Sequence, residues 1–394
     1  MTHSHSIYLD HAATTPVDAR VLEAMVPYFG TTFGNASSIH AYGRSAKEAL
    51  ERARSIIASA IGAAPGDVAF TSGGTEADNL AIYGAWQALR QRGRKMLITS
   101  AAEHHAVLDP VISLRELGAS VDVVPVDSHG QVDPATVSAR LSSETGVVSI
   151  MLANNEVGTI NPVGQIADVV HAHGAVMHSD AVQVLGKIPL RVDELHVDLL
   201  SLSAHKIYGP KGIGALYIRK GVEFSPVFKG GGQERGRRPG TENVALAVGF
   251  GRAVKLALAS MKEESCRLRS LSDALAAALR QEFPFVVING HPTDRLPHIL
   301  NVSFDAEQVQ LDGEMLVPNL DLEGIAVSAG SACTSGSVQP SHVLLAMGRE
   351  LAAARASVRF SFGKSNTRED VIAVVDRMGS VINRMKKRNA KRRT

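Results

Sequence analysis

Several short clusters in this 394-residue chain carry residues able to do chemistry. The first is Ser203-Ala204-His205-Lys206, set between an apolar run at 196–202 and the turn Gly209-Pro210-Lys211-Gly212, with a second apolar run behind it. Gly and Pro punctuate where side chains cannot pack, so the pattern predicts strand, exposed crest, tight turn and strand. A lysine at such a crest, beside hydroxyl and imidazole neighbours, can form a Schiff base with an aldehyde cofactor. Taken alone, Lys206 reads as an ordinary surface lysine in a hairpin. The rest of the chain must supply the surroundings of a site.

Three further clusters do so. Thr71-Ser72-Gly73-Gly74-Thr75-Glu76 follows a short apolar run and opens a helical pattern. Small residues there expose backbone N–H groups at a helix N-terminus, which suits a phosphate. The segment lacks the ending of a Walker loop and does not match G-x-G-x-x-G, and a plain helix cap also accounts for Thr75 and Glu76. Asp180 stands at the end of an apolar run starting near Ala175, and a carboxylate there can hold a proton on a pyridine nitrogen or cap the next turn. Glu103-His104-His105 offers an imidazole to stack on a flat ring or shuttle a proton, and Asn154-Asn155-Glu156 adds another polar strand end.

The elements that must position these residues alternate. Strands are predicted at 68–70, 96–100, 120–125, 147–152, 175–179, 197–201 and 213–218, with helices at 45–61, 77–90, 108–117, 134–141 and 163–172. Such alternation favours a mostly parallel sheet covered on both faces. The Gly- and Arg-rich stretch 230–243 reads as a flexible basic loop. Two helices, 244–261 and one from about Lys262 to Arg280, are followed by weaker strands at 286–289, 299–304 and 357–362, which suggest a smaller α+β domain. The basic end 384–394 reads as a frayed, solvated tail.

Composition narrows the class. The hydrophobic share of 45% and charged share of 20% are ordinary globular values, and a net charge of +2 gives no case for a polyanion partner. No apolar run in the sequence approaches spanning length and the first residues are no signal peptide, so a soluble cytoplasmic protein is expected. The two cysteines, Cys266 and Cys333, offer neither a disulfide framework nor a metal-ligand spacing. Cys266 lies in a charged helical stretch and is read as structural. Cys333 lies in Ser328-Ala329-Gly330-Ser331-Ala332-Cys333-Thr334-Ser335-Gly336-Ser337, small residues with few packing anchors, an unusual place for a free thiol.

The motifs IYLDHAATTP (7–16), TSGGTEADNLAI (71–82), EHHAV (103–107), NNEVGTI (154–160), HSDAVQ (178–183), SAHKIYGPKGIGALY (203–217), GGQERGRRPGTENV (231–244), SAGSACTSG (328–336) and SVRFSFG (357–363) resemble, in this order, the cysteine desulfurases. These are pyridoxal 5′-phosphate (PLP) enzymes of the aminotransferase superfamily, fold type I, and the likeness is to the nitrogenase-associated and housekeeping iron–sulfur class. The resemblance implies an α/β fold with a mostly parallel seven-stranded sheet in a large domain, 15–258. It implies a smaller α+β domain from 1–14 and 259–380, leaving 381–394 as the basic tail. Lys206 would be the Schiff-base lysine, Asp180 the ring-nitrogen partner, Gln183 the partner of the ring hydroxyl and His104 the stacking group. Gly74, Thr75, Ser203 and His205 would hold the phosphate, with Thr241 of a second subunit, so a homodimer is implied. Asn155 and Arg359 would bind the carboxylate of L-cysteine, although Arg359 also reads as a salt-bridge partner inside the small domain. Cys333 would take the sulfur as a persulfide, leave L-alanine, and pass its cargo to an acceptor protein. Iron–sulfur assembly, tRNA thiolation and DNA phosphorothioation are the candidate destinations; no membrane or direct nucleic-acid partner is implied. A selenocysteine lyase, a cysteine sulfinate desulfinase, an aminotransferase and a non-catalytic assembly partner share the scaffold. The family often has lysine where His105 stands, and its usual C-terminal ending is replaced by the basic run.

Overall fold

The computed structural model describes residues 6–329 and 339–392. Strand β1 (Ile7–Tyr8) opens the chain. Strands β2 (Val68–Thr71), β3 (Met96–Ser100), β4 (Ser120–Val124), β5 (Thr145–Ser149), β6 (Val176–Asp180), β7 (Leu199–Ser203) and β8 (Gly214–Ile218) then form one seven-stranded sheet. Its order is β2-β8-β7-β6-β5-β3-β4. β7, β6, β5, β3 and β4 run parallel, while β8 is antiparallel to both β7 and β2. The hairpin around Lys206 is therefore the one connection where the sheet reverses.

Parallel strands are covered on both faces, and β5, β7 and β8 are buried at every position. Alternate residues face opposite layers. Val148 and Leu200 meet the layer built from helices Ala41–Ile61, Val163–Ala172 and the first half of Val244–Glu282. Val147 and Leu199 meet helices Gly74–Leu89 and His105–Ser113, with Trp86, Val107 and Val111 at the centre. A second core lies around β9 (Val286–Asn289), β10 (Ile299–Phe304), β11 (Ile325–Ala326) and β12 (Val358–Ser361). There β12-β10-β9 form an antiparallel sheet, and β1 pairs with β11 in parallel, which brings the start of the chain into this core.

Three expectations need correction. Residues 244–282 form one helix, not two. The stretch around Met261 and Lys262 holds no Gly or Pro and is rich in helix formers, and Glu264 and Arg267 pair at 3.0 Å along it. The lapse in apolar spacing marks a change of packing partner. Phe250 and Val254 enter the first core, Leu271 and Leu275 the second. This helix is long and apolar enough to cross a membrane by length and composition, but half of its most apolar stretch is buried inside the protein, as in a core helix. The basic end is not frayed where it begins: helix Arg368–Arg392 carries it, Arg384 meets Glu323 at 2.6 Å and the Lys386 amine lies 4.2 Å from the Phe285 ring centre.

The stretch 230–243 is likewise pinned. Its Glu234 carboxylate is buried and accepts from Arg54 Nη1 at 2.5 Å, Arg54 Nη2 at 3.0 Å and the β2 amide of Phe70 at 2.9 Å. Removing one member of a buried pair leaves the other uncompensated and costs about 3–5 kcal/mol. Glu234→Ala is expected to lower stability by that amount in chemical denaturation; a loss below about 1 kcal/mol, the scale of an exposed pair, would refute the pinning.

Candidate active site

The carboxyl ends of the central strands meet at one place. β6 ends on Asp180 and β7 on Ser203, and a tight turn, Ala204–Lys206, follows. The Lys206 amine donates to the carbonyls of Ala12 at 2.6 Å and Ala13 at 2.7 Å. These belong to a strap, 10–15, laid across the turn. Thr15 Oγ1 donates to the His205 carbonyl at 2.8 Å and accepts the Tyr208 amide at 2.8 Å, and Thr14 Oγ1 lies 3.2 Å from His205 Nδ1. Burial, then the Arg359 charge, lower the Lys206 amine to about 8, against the pull of Asp180 and Asp10. The His205 ring falls to about 4, through burial and then the Lys206 charge.

Asp180 is buried and accepts the Val182 amide at 2.8 Å. Burial raises its pKa, while that amide and the Lys206 charge pull it back. Gln183 donates to the Ala12 carbonyl at 2.9 Å, which leaves its buried Oε1 without a partner. The buried Ser203 hydroxyl has none either. Beside it, helix Gly74–Leu89 starts with no side-chain cap on its free N–H groups. Close approach is built in at Gly214, where a Cβ would lie 2.6 Å from the Gly73 carbonyl carbon. Thr75 and Thr241 are exposed. His104 is open to the cleft and accepts the Ala106 amide on Nδ1 at 3.0 Å, capping its helix. The protein around the ring and then the Lys206 charge lower its pKa, so the ring is neutral.

Arg359, on β12 of the second core, reaches across to the first. Its Nη1 donates to the Asn155 carbonyl at 3.0 Å and its Nη2 to Asp10 Oδ1 at 2.8 Å, while its buried Nε has no partner among the described residues. Asp10 of the strap thus meets the salt-bridge reading of this residue. The chain on either side of 330–338 is tied to the same place. Ser328 exchanges backbone hydrogen bonds with Arg359, at 3.3 and 2.7 Å. Downstream, Ser341 Oγ meets Glu156 Oε2 at 2.5 Å and His342 Nε2 meets the Glu103 carbonyl at 2.8 Å. Cys333 itself lies outside the described residues; Cys266 is exposed. A cavity of about 600 Å³ lined by Lys47, Arg54, Glu234 and Arg237 holds none of the candidate residues.

Sequence reasoning missed the carbonyls of Ala12 and Ala13 and the carboxylate of Asp10. The signal available was a run of small and polar residues just before Pro16. It named Glu103 only as the start of the Glu103-His104-His105 cluster, and it gave no role to Asp78 or His178, which look like ordinary helix and strand residues.

Residues 7–374 match the Aminotransferase class-V family. The chain belongs to this family. Among curated class-V relatives, the cysteine desulfurase IscS of Dictyoglomus turgidum is 47% identical over 380 residues, covering 96% of this chain and 95% of that one. A solved NifS-like protein superposes with a TM-score of 0.89 at 37% identity, covering 96% of this chain and all of the other. SspA, solved in complex with cysteine, superposes at 0.79 with 35% identity over 91% of this chain and 99% of its own.

This class-V chain takes PLP as its cofactor. The site fits it: a half-buried amine, a buried carboxylate, an acceptor at Gln183 and a hydroxyl at Ser203 without partners among the described residues, and an uncapped helix start converge on one cleft. An amine must be neutral to attack an aldehyde, and the neutral share of Lys206 rises as pH climbs through about 8. The rate of PLP uptake by the apoprotein, followed by absorbance at saturating PLP, is therefore expected to rise with a midpoint near that value. A midpoint near the ordinary lysine value of about 10.4 would contradict the burial of this amine.

Proposed function

We propose that this protein is a PLP-dependent cysteine desulfurase that moves the sulfur of L-cysteine onto Cys333 as a persulfide and releases L-alanine. The observation that carries this reading is the half-buried Lys206 amine, under the charges of Asp180 and Arg359, in a chain 47% identical to a cysteine desulfurase. Bound PLP supplies the electron sink for charge developing at the substrate α-carbon. Asp180 would hold a proton on the ring nitrogen, Gln183 Oε1 would accept from the ring hydroxyl and His104 would pack against the ring. Gly74, Thr75, Ser203 and His205 would hold the phosphate.

Arg359 Nε and Asn155 receive the substrate carboxylate, the first as an already oriented donor. Lys206, partly neutral near pH 8, takes the α-proton. The Cys333 thiolate attacks the substrate sulfur, a sulfur–sulfur bond forms as the carbon–sulfur bond breaks, and the electron pair leaves with carbon. Protonation of that carbon and return of the α-proton from Lys206 give L-alanine, so one thiol and one L-cysteine become one persulfide and one L-alanine. The anchoring of Ser328 at Arg359 and of His342 beside His104 supports a thiol working at this cleft. We infer an acceptor protein for the sulfur, with iron–sulfur assembly as the destination that the resemblance favours.

Mass spectrometry after incubation with PLP and L-cysteine is expected to find added sulfur on Cys333 and stoichiometric L-alanine, both lost in Cys333→Ala. Sulfur release at the normal rate by Cys333→Ala would favour a lyase or desulfinase instead.

We also propose a homodimer in which Thr241 completes the neighbouring site. Support comes from the exposed apolar side chains Leu22, Val26, Phe29, Phe33, Ile39 and Tyr42, with Ile39 91% exposed, gathered in one stretch of chain around the start of helix Ala41–Ile61, where the Phe33 and Tyr42 rings meet at 5.6 Å. Large apolar side chains left in water in this number suit an interface. Light scattering is expected to give twice the chain mass, and Ile39→Asp with Phe33→Asp to give monomer with impaired PLP binding; a wild-type monomer ends the proposal.

A further inference from the structure

At and behind the floor of the site lie three buried acids. Asp78 on helix Gly74–Leu89 is 1% exposed, Glu103 just after β3 is 0% exposed and Asp180 is 8% exposed. His178 sits two residues before Asp180 on the same face of β6. Its Nε2 lies 3.6 Å from Asp78 Oδ1 and 3.0 Å from Ser201 Oγ, and its Nδ1 lies 2.7 Å from Ser149 Oγ. Ser201 stands opposite Asp180 in the β6–β7 ladder. Glu103 Oε1 accepts from Ser100 Oγ at 2.7 Å and the Met151 amide at 2.9 Å. Glu103 Oε2 and Asp78 Oδ1 have no hydrogen-bond partner among the described residues.

A bare carboxylate oxygen in such surroundings is costly as an anion and far less so as an acid. Neighbouring like charges in one apolar pocket do not all ionise. The three acids differ in what faces them. Asp180 has the Lys206 cation and the Val182 amide. His178 gives Asp78 no counter-charge, because burial pushes the ring down to about 3. Burial, then the Asp180 charge, hold Asp78 well above the usual carboxyl range, against a hydrogen bond from Ser201. Burial above all lifts Glu103 to about 8, despite its two donors.

We propose that Asp78 and Glu103 are positioning acids that stay protonated, so that the single negative charge this pocket holds rests on Asp180. The inference rests on the reading of Asp180 as partner of the ring nitrogen. Its physical content is that two uncharged acids fill the polar space behind the site without competing for the charge that a ring cation needs in front. An amide of the same shape would serve the same electrostatic end, which makes isosteric variants the test.

Infrared spectra of the apoprotein at neutral pH, where surface carboxylates are ionised, are expected to show a protonated-carboxyl carbonyl band. Asp78→Asn and Glu103→Gln should each remove part of it, keep the melting temperature, and bind PLP within about twofold of wild type. No such band, or a band unchanged in both variants, overturns the proposal. So does a large fall in melting temperature, or a failure to fold, in Asp78→Asn, since either would show an ionised Asp78 paired with a charged His178. Asp180→Ala separates the two claims: unchanged PLP affinity and absorption there would refute the role given to Asp180 while leaving the infrared result standing.

Discussion

The half-buried Lys206 amine is held between two backbone carbonyls of a segment nearly two hundred residues earlier, and the site is built around that contact. An amine removed from water must lose its proton or find acceptors. Ala12 and Ala13 supply acceptors and hold the side chain over the ends of β6 and β7. The same strap carries Asp10, which neutralises one arm of Arg359, and Thr14 and Thr15, which brace the turn after β7. One short stretch of chain therefore sets the position of the Lys206 amine and pairs the charge of Arg359 opposite.

Arg359 comes from the second core and Asn155 from the first. Their meeting depends on the long helix Val244–Glu282, which belongs to both cores without a break. Its continuity gives the second core a rigid attachment, and the pairing of β1 with β11 adds a second. A cleft assembled from two cores can thus hold opposing groups at hydrogen-bond distance, as catalysis by orientation requires.

Within the cleft, charge is arranged in layers. Cations sit at the front, at Lys206 and Arg359, and a carboxylate sits at the floor. Behind it are a neutral imidazole and two buried acids. Burial acts in opposite directions on these groups, lowering the amine and the imidazoles and raising the acids.

Strands 96–100 and 120–125 and the helix 163–172 were legible in the sequence to within a residue or so, since each depends on local spacing and punctuation. So were Lys206 and Asp180 as strand-end residues, and the ordered motifs were enough to name the family resemblance. The join at Met261 was misread because apolar spacing reports which face is buried, and that face changes where the helix passes from one core to the other. The basic end was misread because Glu323 and Phe285, its partners, are distant in sequence. The strap over Lys206, the Asp10–Arg359 pair and the acids behind Asp180 lay beyond sequence reasoning for the same reason. Periodicity and turn chemistry act over a few residues and so are written in the chain itself. Proximity across hundreds of residues, and the desolvation that shifts a proton, exist only once the chain has closed on itself.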